Sequence, residues 1–294
     1  MKPIPDTLDL IRLDIQNLTE LPASSPIIQQ LLDSLGNDDI DIRELAEIIR
    51  QDIALIARII GLANSAYFGY PEPITRVEDA IFKALGISLT RNLALSIVLV
   101  GSFRPRIECK AFSINDFWTK ALLTATLSSE LWPHINNPQS ANADDAYLAG
   151  ILHDFGILPI LYLYSDDVCK ALDNLTADDS LTSCLKSLLG TDHHQIGFWL
   201  ASKWKIPPNI TSVIAHNQDA DYEGRDQQLV QLIHASQLCA SAYLKSGDWL
   251  PIPETALTLV SRLGISEEHM HHTLIRVGQK SEAIAGIAAL LSLE

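Results

Sequence analysis

Apolar residues recur along this chain at intervals of three and four, which places them on one stripe of an α-helix. No segment sustains the two-residue alternation of a half-buried strand. The pattern predicts an all-α protein. Ser25-Pro26 opens a first helix whose face is Ile27, Ile28, Leu31, Leu32 and Leu35, and Gly36-Asn37 closes it. Asp39 or Asp41 caps a second helix through Leu45, Ile48 and Ile49. A third runs from about Asp52 through Ile56, Ile59, Ile60 and Ala63 to a loop at Gly69-Tyr70-Pro71. From Arg76 the set Val77, Ala80, Ile81 and Ala84-Leu85 gives a helix stopped at Gly86, and Ser88 or Thr90 starts another that reaches Gly101. Residues 104–110 connect to a second half. There the pattern predicts helices over Ile114–Trp132, around His153, near Val168–Leu175, over Leu181–Leu189 and His193–Trp204, and from Pro207-Pro208 to His216. After a polar break at Asn217–Arg225, further helices follow over Asp226–Lys245, Pro251–Leu263, Glu267–Val277 and Ala283–Leu293. No fixed period repeats, so a solenoid is not expected.

Composition narrows the classes. With 294 residues and 47% hydrophobic side chains the chain can bury a core of one or two domains. Its 36 acidic against 21 basic residues give a formal charge of −15, which disfavours nucleic acid and anionic membrane surfaces as partners. One segment is locally positive, with Arg76, Lys83, Arg91, Arg104, Arg106 and Lys110 against Glu78, Asp79 and Glu108; a solvated helix face accounts for it. Cys109, Cys169, Cys184 and Cys239 form no Cys-x-x-Cys and read as free thiols of a cytoplasmic protein. Residues 1–6 show no apolar stretch before a small-residue cleavage site, so a secretion signal is not expected. The run Tyr147–Tyr164 approaches membrane-span length but contains His153, Asp154, Gly156 and Pro159, so it is expected as a buried core helix.

Candidate chemistry centres on Ala149-Gly150-Ile151-Leu152-His153-Asp154-Phe155-Gly156-Ile157-Leu158, a His-Asp doublet inside an apolar run. Neither side chain is readily buried unless it is paired or bound to a metal. His193, His194 and His216 stand at the ends of later helical segments, and imidazole and carboxylate groups from several helices suit zinc, manganese or iron. Any single histidine of the nine is more simply a surface or hydrogen-bonded core residue. His194 is expected to face outward, because helix neighbours point about 100° apart. His269, His271 and His272 read as a polar helix face, and Trp199 and Trp204 as packing residues. There is no Gly-rich phosphate loop, no Gly-x-Ser-x-Gly and no nucleophilic Cys-His pair.

A family resemblance runs through many separate segments. Leu21-Pro22, Glu44-Leu45-Ala46, Asp52, Leu62-Ala63-Asn64-Ser65-Ala66-Tyr67-Phe68-Gly69, Ile74, Leu85-Gly86 and Arg91-Asn92-Leu93 closely resemble the HDOD family, the HD-related output domain of bacterial signalling proteins. Phe117-Trp118, the doublet segment, Gly190-Thr191-Asp192-His193, Gly197, Trp204-Lys205-Ile206-Pro207 and Ile214-Ala215-His216 continue it. Asn64, Ser65 and Gly69 form its sharpest motif; without the resemblance they read as a helix cap and turn. The resemblance implies an HD-type helical bundle of two packed halves, 18–110 and 111–240, after a lead-in over 1–17. Residues 241–294 are expected to pack on the second half.

The resemblance also implies a metal site, with His153, Asp154, His193 and His216 as ligands, that has decayed. Active HD phosphohydrolases add a His before the doublet and an Asp after the last His. Alignment puts Lys120 and Gln237 near those positions. Lys120 then either pairs with Asp154 or points to solvent from an amphipathic helix. The expected function is a non-catalytic signalling module acting through a protein partner or a small ligand, with no cofactor. The alternative is a phosphohydrolase that retains Zn, Fe, Mn or Mg. Nucleic-acid binding through the Arg76–Lys110 segment is a weaker third reading, with Arg104 and Arg106 as the residues whose loss would test it.

Overall fold

The computed structural model describes residues 11, 13, 26–37, 39–103, 109, 111–138, 141–173 and 180–293. The rest of the 1–17 lead-in, Leu21-Pro22, and Arg104, Arg106 and Lys110 lie outside the described residues. Among the described residues the elements are helices and no strand occurs.

In the first half, α1 (Pro26–Leu35), α2 (Ile42–Ile49) and α3 (Ile53–Ala63) follow the predicted faces. Asp41 caps α2 by accepting from the backbone N–H of Arg43 and Glu44, and Asp52 caps α3 through Leu55 N–H. The next segment is not one regular helix. A turn of α-helix, α4 (Val77–Asp79), widens into a π-helical stretch over Ala80–Leu85 that Gly86 closes at φ 79°, a backbone region disfavoured for residues with a Cβ. Then α5 (Ile87–Gly101) packs against α1 and α3.

The second half is arranged around α6 (Ile114–Leu131), which buries Trp118, Leu122, Leu123, Leu127 and Leu131. Against it lie α7 (Ala143–Leu152) and, from later in the chain, α13 (Gln227–Ser246), α15 (Glu267–Gln279) and α16 (Ser281–Ser292). Gly150 lets α7 approach closely: a Cβ there would meet the Ala125 backbone nitrogen at 2.7 Å. Between α7 and α13 the chain forms α8 (Ile157–Leu163), α9 (Ser165–Asp173), α10 (Leu181–Leu189), α11 (His193–Lys203) and α12 (Pro208–His216). α14 (Glu254–Arg262) packs on α13. The last helix touches both halves: α16 packs on α6 and on α3, where Gly61 faces Leu290 and Arg58 donates to the Leu293 carbonyl at 2.8 Å.

Two expectations need correction. The apolar run 147–164 is not one helix: α7 ends at Leu152, residues 153–156 form a turn, and α8 begins at Ile157. The turn exists because Gly156 sits on the backbone of α11, where a Cβ would collide with the His193 carbonyl oxygen and stand 2.8 Å from Gly197 N. Pro159 then falls in the first turn of α8, where its missing N–H leaves no helical bond unmade. The stretch 143–163 is long and apolar enough to cross a membrane, yet 78% of its apolar window is buried inside the bundle.

The second correction concerns the cysteines. Cys109 and Cys169 are joined by a disulfide with a Cα–Cα distance of 5.3 Å, within the usual range. Cys169 lies in α9, so residues separated by 60 positions meet. Cys239 is a buried thiol, its pKa pushed up to about 12 by desolvation.

The seat of the 153–156 turn on α11 gives a stability test. Gly156→Ala is expected to lower the unfolding free energy by about 3 kcal/mol or more in urea titrations, because backbone must move to admit the methyl group. A loss below about 1 kcal/mol would contradict the close approach.

Candidate functional site

Three elements bring charged and titratable groups together at the start of the turn. α6 supplies Lys120 two turns after its Ser113 cap, the end of α7 supplies His153 and Asp154, and the first residue of α11 supplies His193. Asp192 fixes the start of α11 by accepting from Gln195 N–H at 2.9 Å. Lys120 Nζ lies 2.6 Å from Asp154 Oδ2, so its side chain pairs with the doublet rather than pointing to solvent. His153 Nε2 is 3.3 Å from the same oxygen, and His193 Nε2 is 3.8 Å from Oδ1. Both imidazoles are 1% exposed. His153 Nδ1 donates to the Gly150 carbonyl at 2.7 Å, which fixes the ring and turns Nε2 toward the carboxylate.

Burial and pairing act in opposition on these groups. Desolvation favours the neutral form of Asp154, but the charges of His153 and Lys120 overcome it and hold the carboxyl well below its usual value. His193 has no comparable rescue: desolvation, aided by the adjacent His194, pushes its pKa down to about 3, so it is a neutral imidazole. His153 Nε2, both ring nitrogens of His193 and Asp154 Oδ1 are buried with no hydrogen-bond partner among the described residues.

The donor set does not fit a divalent cation. His153, Asp154 and His193 stand together, but the Lys120 ammonium takes the Asp154 oxygen that a metal would bind, and among the described residues no three His, Cys, Asp or Glu side chains are arranged to hold a metal ion.

The remaining predicted site residues are placed differently from one another. His216 is exposed and stacks on Tyr222 with ring centroids 4.5 Å apart, so it does not join His153 and His193. The next residue, Asn217, is fully buried in its stead, donating to the His153 carbonyl at 2.7 Å. Gln237 is buried but does not face Asp154; its Nε2 donates to the Asn217 carbonyl at 2.8 Å and to Asn217 Oδ1 at 3.0 Å. It is a buttress two steps behind the doublet. The only sign of Asn217 in the sequence is its position after an apolar helix, which reads as the start of a polar break. His194 is 8% exposed, against the expected outward orientation, because the first turn of α11 is enclosed between α8 and α12 and Nδ1 contacts the Ile214 carbonyl at 3.2 Å.

In the first half, Asn64 caps α3 and its carboxamide bonds both backbone groups of Ile74, at 2.8 Å each. It pins the loop after α3, within which Gly69 adopts φ 58°; the Ser65 hydroxyl is buried with no hydrogen-bond partner among the described residues. His269 bonds Ser266 and stacks on His134, at 4.4 Å between centroids.

The helical order, the pinned Asn64 segment and the doublet on the α7–α8 turn agree with the HDOD domain, whose family profile matches residues 21–220. The chain belongs to the HDOD family. Its fold is shared with solved structures. A "putative signal transduction protein" from Marinobacter aquaeolei VT8 superposes with TM-score 0.82 at 22% identity, over 98% of this chain and 65% of that one. A "putative phosphohydrolase" from Shewanella amazonensis SB2B gives TM-score 0.74 at 22% identity, covering 96% and 97%. An HDOD domain protein from Geobacter sulfurreducens gives 0.74 at 20% identity, covering 98% and 99%. An uncharacterized protein of Treponema pallidum (strain Nichols) is 25% identical over 202 residues, 68% of this HDOD chain and 37% of its own length. The chain thus spans under two thirds of the Treponema and Marinobacter proteins.

The neutral state of His193 sets a pH dependence. Unfolded, the imidazole titrates near its ordinary value of about 6.5, so below that pH the unfolded chain binds a proton that the folded chain refuses. Stability is therefore expected to fall by up to about 1.4 kcal/mol per pH unit from about 6.5 toward about 3, and Asp154 adds to the loss below about 4. Urea titrations at neutral pH and near pH 5 check this, with His193→Gln expected to flatten the slope. An unchanged slope in the variant would contradict it.

Proposed function

We propose that this HDOD chain is a non-catalytic regulatory module that acts through a protein partner or a small ligand. The observation that carries this reading is the Lys120 ammonium 2.6 Å from Asp154. A two-metal hydrolase needs anionic ligands to offset about four positive charges. Here one carboxylate is already matched by a cation, its neighbours are imidazoles, and Gln237 supplies no charge where the family's further acid is aligned. The name of the Marinobacter structure is in keeping with a signalling role and that of the Shewanella structure with a hydrolase ancestry. The net charge of −15 directs the search for partners toward proteins and uncharged or cationic compounds and away from nucleic acid.

Elemental analysis of purified protein, run beside hydrolysis assays with a phosphomonoester and a cyclic nucleotide, tests the reading. It predicts substoichiometric zinc, iron and manganese and no turnover above that of Asp154→Asn. One metal per chain together with hydrolysis abolished by Asp154→Asn would establish the phosphohydrolase reading instead.

A further inference from the structure

At the seam of the two halves α5 packs on α7 and α7 on α6, and a pocket of about 220 Å³ remains among them. Helical spacing builds its walls: Asn92 comes from α5, Thr126 and Glu130 stand four apart on α6, and Asp144 and Tyr147 three apart on α7. Tyr67, from the loop that Asn64 pins, also lines it. Polar groups inside a helix seam are ordinarily spent on one another. Here several are not. Asn92 is 2% exposed and gives Nδ2 to the Asp144 carbonyl at 3.1 Å, which leaves its Oδ1 over. Thr126, 6% exposed, makes no hydrogen bond through Oγ1 among the described residues. Neither oxygen belongs to the polar atoms sealed in the interior without a partner, so both reach open space, and the space these residues line is the pocket. The charges are uneven as well. Glu130 is matched on both oxygens, by Arg276 at 3.1 Å and Lys280 at 3.0 Å, whereas Asp144 is exposed and has no ion-pair partner among the described residues.

We infer that this pocket binds a small primary amine as its ammonium ion, held by the Asp144 carboxylate and Asn92 Oδ1 with its short carbon chain against Tyr147. An ammonium has three N–H donors and no acceptor, which suits one unmatched carboxylate beside neutral oxygens. The tyrosine ring offers its face to the cation and to the carbons next to it. A volume below that of drug-sized sites limits the ligand to a few carbon atoms, and the net charge of −15 draws a cation and repels an anion. The occupant touches α5 of the first half and α6 and α7 of the second. Binding therefore favours their packed arrangement over any in which the seam opens. The inference rests on the small-ligand arm of the regulatory reading and names its site and chemistry.

Calorimetric titration of the full chain with methylammonium, ethanolammonium and butylammonium chlorides, at matched ionic strength, tests it. Tetramethylammonium, which has no N–H, and butanol, which has no charge, are the controls. At least one primary ammonium is expected to bind, about tenfold or more tightly than either control. Asp144→Asn and Asn92→Ala are each expected to weaken that binding by about fivefold or more. Asp221→Asn, which removes an exposed carboxylate outside the pocket, is expected to leave it unchanged. Asp144 is exposed, so its variant keeps the test sharp even where Asn92→Ala fails to fold. No binding of any primary ammonium at millimolar concentration, equal affinity for a control, affinity unchanged in Asp144→Asn, or an equal loss in Asp221→Asn would overturn the inference. Metal content and phosphoester hydrolysis measured on the same sample separate the two proposals. A metal-free, inactive protein that ignores the amines defeats only the ligand assignment, whereas stoichiometric metal with hydrolysis defeats the regulatory reading.

Discussion

A carboxylate inside an apolar bundle must be neutralised, and Asp154 is the residue through which this structure meets that demand. Its partner comes from α6, the helix on which α7, α13, α15 and α16 all pack, so the ion pair ties the doublet to the axis of the molecule. The turn that presents Asp154 is held from the other side by the contact of Gly156 with the backbone of α11. Moving either side would leave a buried charge without its counter-ion, a cost of about 3–5 kcal/mol for well-buried pairs and less at the 15–26% side-chain exposure found here.

Around that pair the polar interior is organised in layers. His153 is fixed through Gly150, Asn217 holds the His153 carbonyl, and Gln237 holds Asn217. These supports hold the carboxylate from behind, and on the regulatory reading proposed above they keep it in place while Lys120 matches its charge.

Much of this was legible in the sequence because helices that bury one stripe must repeat apolar residues at 3.6-residue spacing. Asp41, Asp52 and Ser113 cap helices where short polar residues precede apolar periodicity. The break at 153–156 was hidden because its cause is a backbone contact between Gly156 and His193, distant in sequence. The choice between His216 and Asn217 turned on a 100° step at a helix end, which no spacing of polar residues resolves. His194 is buried because two helices cover the first turn of α11, and Cys109 meets Cys169 across 60 positions of sequence. All four depend on tertiary neighbours.

The Lys120 ammonium is the counter-ion of Asp154. A double-mutant cycle with Lys120→Met, Asp154→Asn and their combination, read as urea unfolding free energies, measures that interaction directly. A favourable coupling of about 1–3 kcal/mol is expected, with the double variant more stable than the sum of the single losses implies. A coupling near zero, or one of opposite sign, would show that the two charges do not depend on each other and would contradict the account.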